Sequence, residues 1–180
     1  NNILMKSKIN LLFVTAILLF SFSSKSFSEI KIVYLDMQKV MGISKAGKSI
    51  LTQLEKKHKG NLNNFKKTEE ELKNEELKIV SQKKIIQKEE FQKKINERRA
   101  KVKKYRDKRS NDINQLTKQR VNATKKLLDT INPILIDYSN EKSIAMIIQR
   151  KNIVIGKVDL DITNDIIERV DKKISKIKLD

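Results

Sequence analysis

The chain has 180 residues, and 40 lysines and arginines against 22 aspartates and glutamates give it a formal net charge of +18 at pH 7. This balance indicates an acidic or amphiphilic partner attracted by long-range electrostatics. One histidine, His58, and no cysteine exclude a site built on thiolates or on paired imidazoles. We predict a packing role for His58 and a protein that is not an enzyme and needs no metal or cofactor.

The first 28 residues have the pattern of a secretory signal peptide. Lys6 and Lys8 precede an apolar run over residues 11–20, and mostly small residues follow up to Ser28. A permanent membrane anchor would need about 20 apolar residues to span the hydrocarbon, roughly twice the run that is present. We therefore predict that residues 1–28 are a cleaved signal peptide and that the mature chain is exported.

The stretch Gly42–Ser49 reads GISKAGKS and matches the phosphate-loop pattern G-x-x-x-x-G-K-[ST]. A true phosphate loop joins a strand directly to the helix that follows it. Here the predicted strand over 30–35 is followed by a short helix that Asp36 can cap, so this context is missing. We predict no nucleotide binding, with Ser44 capping the next helix and Lys48 in the first turn of that helix.

Residues 48–132 contain no proline and one glycine, which permits helix almost throughout. In the first half, one set of positions recurs every seven residues, as is typical of a coiled-coil seam. These positions are Leu51, His58, Phe65, Leu72, Ile79 and Ile86. The phase of the apolar pattern changes near Ile86, which we interpret as the tip of an antiparallel helical hairpin. Each arm would have about 40 residues and be about 60 Å long.

This register makes specific predictions about which residues of the two arms face each other. Leu51 would lie opposite Val121, and Leu72 opposite Ala100. The glutamates at positions 69–71, 75 and 76 would face Arg98 and Arg99. The charge match is independent of the apolar pattern that places the tip, so it favours a hairpin over one continuous helix.

The predicted arms carry most of the charge. Residues 48–132 hold 25 basic and 12 acidic side chains, and the tip and early return arm are the most basic part. Three arginines fall on the otherwise apolar stripe of the return arm, which would give a surface that is both apolar and positive. The candidate binding residues on this stripe are Phe91, Ile95, Arg98, Val102, Tyr105, Arg109 and Arg120.

The two ends of the mature chain, 29–47 and 133–180, are predicted to form a small body. Pro133 is expected to end the return arm or to open a last helical piece. Segments 143–149 and 153–158 are strand-like and are expected to form a hairpin, and Thr163 is expected to cap a final helix. Three short strands leave sheet edges open, so we predict association of several copies through the sheet. The candidate oligomerisation residues are Ile32, Tyr34, Ile144, Met146, Ile148, Ile153 and Ile155.

This order of elements resembles the Skp/OmpH family of periplasmic chaperones. The better-marked matching pieces are Ile32–Val40, Ser44–Lys48, Arg109–Asn111 and Asp161–Thr163. The resemblance implies an α+β fold in which a small β-sheet body, assembled in a homotrimer, bears three long helical hairpin arms around a cavity. It also implies that the protein holds unfolded outer-membrane β-barrel proteins in the periplasm without ATP.

Two other classes of function share some of these features. A polyanion-binding protein, directed at nucleic acid or at anionic lipid head groups, would share the positive charge. Nucleic-acid binding also uses aromatic side chains for base stacking, and only Phe91 and Tyr105 are aromatic within the most basic segment. An exported coiled-coil scaffold of the envelope would share the long helices, but it would have two continuous apolar seams instead of one.

Overall fold

The protein is described by a computed structural model that covers residues 30–180. The predicted signal peptide, 1–28, lies outside the described residues. The elements in chain order are strand β1 (Lys31–Leu35), helices α1 (Met37–Ile43), α2 (Lys45–Ser81) and α3 (Lys88–Glu141), strand β2 (Ile144–Gln149), and helix α4 (Thr163–Lys173). The long helices α2 and α3 form an antiparallel hairpin, and the remaining elements form a small α+β body.

The hairpin predicted from the change in apolar phase is confirmed. A turn over residues 82–87 joins α2 to α3 and contains the predicted tip residue, Ile86. Glu76 pairs with Arg98 as predicted, but the register of the arms differs from the prediction, because Glu75 pairs with Lys101 and Glu69 with Arg109. In this register Leu72 lines a groove between the arms together with Lys101, one residue beyond its predicted partner, Ala100.

Pro133 was predicted to end the return arm or to open a last helical piece, but α3 runs through this residue without a break to Glu141. Proline removes one backbone donor from a helix, and the cost is about 3 kcal/mol in an unsupported helix interior. Here Ile131 is fully buried on one side of the proline, and Ile134 and Leu135 pack against the same core on the other. Packing against the core on both sides therefore offsets the cost of a proline inside the helix.

The sheet of the described chain has two strands, which pair in parallel. The expectation of a third strand over 153–158 is wrong. After β2 the chain makes a 3₁₀ turn at Arg150–Asn152 and then returns to β1, where Asp161 forms an isolated bridge with Tyr34. The segment thus leads from β2 to the bridge with β1 without pairing as a strand. Val154 and Ile155 are 98% and 92% exposed.

The core lies where the body meets the root of the hairpin. One face of β1 contributes Val33 and Leu35, and the amphipathic helix α4 contributes Ile166 and Val170. The roots of the two arms complete the core with Ile50, Leu54, Ala123, Leu127 and Ile131. This arrangement fixes the base of each arm and leaves most of the hairpin projecting beyond the core.

Candidate functional site

The long part of the hairpin is thinly packed. Between residues 55 and 118, only Phe65 and Ile79 are buried. The heptad pattern of the outgoing arm predicts both positions as seam residues, whereas the companion seam is mostly polar. The arms are therefore joined by few apolar contacts, and each retains wide exposed surfaces.

Ion pairs cross between the arms at the glutamate-rich stretch of α2, as the sequence predicts. Glu76 lies 2.5 Å from Arg98, Glu75 lies 2.7 Å from Lys101, and Glu69 lies 2.5 Å from Arg109. Each pair is at least partly exposed, so each contributes only about 0–1 kcal/mol. The pairs therefore mark the register of the arms but add little to the stability of the hairpin.

An aromatic cluster forms the middle of the seam. Phe65 and Tyr105 meet edge to face with ring centroids 6.3 Å apart, and the Arg109 guanidinium lies 5.2 Å from the Phe65 ring centroid. Tyr105 donates a hydrogen bond from its hydroxyl to Glu69. Burial raises the pKa of Tyr105, and this hydrogen bond raises it further. Phe65 is missing from the predicted binding residues, although it is the only aromatic residue of the outgoing arm.

The structure therefore divides the predicted binding residues into groups. Tyr105 and Arg109 belong to the aromatic cluster, and the Arg98 side chain, 23% exposed, points at Glu76. Arg120 stands apart at the root, where it lines a wide groove with Leu51 and Leu54. The remaining candidates, half-buried on the return arm, are Phe91, Ile95 and Val102. A role for these residues in binding remains a prediction.

The outer faces of the arms carry positive charge beside exposed apolar side chains. Arg99, Lys103 and Arg106 surround the half-buried Val102 on α3. Ile85 in the tip turn is 81% exposed and adjoins Lys83 and Lys84. An extended surface of this kind suits a partner that is itself partly apolar and carries negative charge.

The predicted oligomerisation residues fall mainly on the face of the sheet that points away from the core. Strand pairing sets Ile32 beside Met146 and Tyr34 beside Ile148. Ile32 and Met146 are 42% and 54% exposed, whereas Tyr34 is covered by the chain near Gly156.

The other oligomerisation candidates lie elsewhere. Ile153 is half-buried near Gly156, and Ile155 is exposed. Ile144 belongs to the core, because a register irregularity after Lys31 sets Ile144 beside that residue and turns its side chain inward. Ile144 is buried within its own chain, and an oligomerisation role for it remains a prediction.

The GISKAGKS stretch spans the junction of α1 and α2. The Ser44 hydroxyl accepts a hydrogen bond from the Gly47 amide, so Ser44 caps α2 as predicted, and Lys48 lies in the first turn. Gly47 touches α1 so closely that a Cβ there would lie 1.8 Å from the Met41 carbonyl oxygen. The second glycine of the motif is therefore explained by helix packing.

Among residues 30–180, no cluster of histidine and carboxylate side chains has the grouping of a metal site. In the same part of the chain, no helix is long and apolar enough to cross a bilayer.

A family model described as outer membrane protein (OmpH-like) matches residues 31–170. The chain belongs to the OmpH-like family. A solved structure of a candidate OmpH-like outer membrane chaperone from Caulobacter crescentus CB15 has the same fold, with a TM-score of 0.78 at 15% identity. The match covers 83% of this chain and 88% of that one. No curated protein matches the sequence.

Proposed function

We propose that this OmpH-like protein is an ATP-independent holdase chaperone of the periplasm that keeps unfolded outer-membrane β-barrel proteins, its clients, soluble between its arms. The observation that carries this proposal is the contrast between a well-packed body and a basic, thinly packed hairpin. Arms with few buried residues can separate at small cost, and their surfaces offer many weak apolar and charged contacts. Membership of the OmpH-like family and the fold shared with the Caulobacter crescentus protein support the same function.

The binding mode that we propose is diffuse and partly electrostatic. Residues 48–132 hold 25 basic against 12 acidic side chains, and the exposed apolar residues lie among them. Attraction between exposed charges is screened over about 8–10 Å at physiological ionic strength, whereas apolar contacts are not. Client affinity should therefore fall partly, not wholly, between low and high salt.

We further propose that three copies assemble through the outer face of the sheet. Ile32 and Met146 expose apolar surface on this face, and Val154 and Ile155 are also exposed in the segment that follows β2. A two-stranded sheet is marginal alone, and closed association of several copies covers both its edges and its apolar face. Met146→Asp should therefore disperse the oligomer, while Lys151→Asp, which also adds a carboxylate to exposed surface, should not.

The holdase function is tested by diluting a urea-unfolded outer-membrane β-barrel protein into buffer without nucleotide. Light scattering should stay low when the mature protein is present. A variant in which a short flexible linker replaces residues 56–118, which leaves the packed roots of the arms in place, should remain folded but let the client aggregate. Aggregation that is unaffected by the intact protein, or suppressed only when ATP is added, would contradict the proposal.

A further inference from the structure

A groove opens between the arms beside the aromatic cluster. Its volume is about 480 Å³, which is within the range of sites that hold a small ligand or a large side chain. The apolar floor consists of Phe65, Leu72 and the ring of Tyr105. The groove lies in the middle of the hairpin, far from the core of the body.

The rim of the groove carries both signs of charge. Three lysines, at positions 101, 104 and 108, alternate with the carboxylates of Glu71, Glu75 and Asp112. Lys101 pairs with Glu75 and Lys108 with Asp112, whereas Glu71 and Lys104 form no ion pair within residues 30–180. A free acceptor and a free donor therefore remain on opposite arms.

This mixed rim selects among possible occupants. A phosphate or other anion would meet carboxylates, and a cation would meet lysines, so a simple ion of either sign gains little here. An extended polypeptide presents backbone N–H donors and C=O acceptors in alternation, which suits a rim with both Glu71 and Lys104. An aromatic side chain suits the floor, because ring edges and faces stack well on an existing pair such as Phe65 and Tyr105.

We propose that this groove receives one aromatic side chain of an unfolded polypeptide, whose flanking backbone bonds to Glu71 and Lys104. Alternate side chains of an extended strand point to opposite sides, so one ring enters while its neighbours face solvent. The inference rests on the proposed function and deepens it. Transmembrane β-barrels carry aromatic girdles at both membrane interfaces, so each such client contains many residues that fit.

The test uses two tryptophan variants of the full mature chain. Thr68→Trp fills the groove, because Thr68 lines it and is half-buried. Asn63→Trp adds the same side chain at an exposed position of α2 away from the groove. The probes are two fluorescent, water-soluble peptides of Gly, Ser and Thr that differ only in one central Phe or Ala.

The wild type and Asn63→Trp should bind the Phe peptide roughly tenfold more tightly than the Ala peptide, as expected for burial of one phenyl ring. Thr68→Trp should bind both peptides equally. An unchanged preference in Thr68→Trp, or no preference in the wild type, overturns the groove proposal.

A second measurement does not depend on the folding of the filled variant. Because the chain has no cysteine, Lys108→Cys provides a unique thiol for a photoreactive label at the rim and leaves Glu71 and Lys104 in place. The label should cross-link to residues next to Phe in the peptide, and the same label on Asn63→Cys should not; equal cross-linking from both positions overturns the proposal.

Different results would contradict the groove proposal and the proposed holdase function. If the wild type keeps a β-barrel client soluble but shows no Phe preference, the groove proposal is wrong and the holdase function stands. If the wild type cannot keep the client soluble, the proposed function itself is wrong.

Discussion

Gly47 of α2 lies directly against the Met41 carbonyl at the end of α1, leaving no room for a side chain. A Cβ on Gly47 would lie 1.8 Å from the carbonyl oxygen, far inside van der Waals contact, and the obstacle is backbone that cannot rotate away. Glycine at this position lets the short helix pack on the root of the outgoing arm. The phosphate-loop pattern and this packing requirement thus coincide in one residue.

Gly47→Ala should lower the free energy of unfolding by about 3 kcal/mol, because α1 and α2 must move apart. Gly42→Ala is the matched control, since a Cβ there meets nothing within 4 Å in the described chain. Gly42 lies in α1, where alanine should stabilise by about 0.5–1 kcal/mol. Urea unfolding measures the free energy of unfolding of both variants. Similar free energies for the two would contradict the packing explanation.

Phe65→Ala should loosen the arms without unfolding the body. Loss of a buried phenyl ring costs about 3 kcal/mol, and in a thin seam the effect should stay local. Amide hydrogen exchange should accelerate over residues 60–110 and remain unchanged in β1 and α4. Leu62→Ala, at a position that is 47% exposed, is the control and should change little. Equal acceleration in arm and body would show that the two unfold as one unit.

The chain after α4 ties the roots of the arms together. The Gln53 side chain donates to the Ile177 carbonyl at 2.7 Å and accepts from the Leu179 amide at 3.4 Å, while Asp180 bonds to Gln119 and Lys126 of α3. Gln53→Ala should cost about 1–2 kcal/mol and speed hydrogen exchange around residues 116–126. Gln92→Ala, at an exposed position of α3 near the tip turn, should cause neither change. If hydrogen exchange at the root is the same in Gln53→Ala as in the wild type, the tail does not have this role.

Tyr138 links α3 to α4 by donating a hydrogen bond of 2.6 Å to Asp165. Burial, together with this bond, raises the pKa of Tyr138 to about 12. The folded state holds the proton more tightly than the unfolded chain, in which the pKa of tyrosine is about 10. This contribution to stability is therefore complete below about pH 10 and is lost as the pH rises toward 12.

Tyr138→Phe should lower the free energy of unfolding by about 1 kcal/mol at pH 7, where the hydrogen bond is intact. The variant should also lose stability less steeply than the wild type between about pH 10 and 12. Groups that titrate in both proteins cancel in the difference. Parallel pH profiles from urea unfolding would contradict the raised pKa.

The hairpin could be predicted from sequence because its signals are local and repeated. Seven-residue spacing placed Phe65 and Ile79 on the seam, the change of apolar phase indicated the fold-back, and the glutamates opposite Arg98 supported it. Such signals survive a small error in register, since neighbouring turns offer similar partners.

The body was harder to predict because its details depend on tertiary contacts. Residues 153–158 are rich in β-branched side chains, which favours a strand. The path of this segment is instead determined by a tertiary contact, the bridge between Asp161 and Tyr34. Ile144 reads as one more alternating strand residue, and only the irregular pairing after Lys31 turns it inward. The contacts of Gln53 with the tail involve an irregular segment that carries no periodic signal.

The most direct test of the proposed function is native mass spectrometry of the mature protein mixed, without nucleotide, with an unfolded outer-membrane β-barrel protein as the urea is removed. We predict a complex of three copies with one client, and free protein at three times the chain mass. Monomeric protein with no client bound, from a preparation that circular dichroism shows to be folded, would contradict both the assembly and the holdase function.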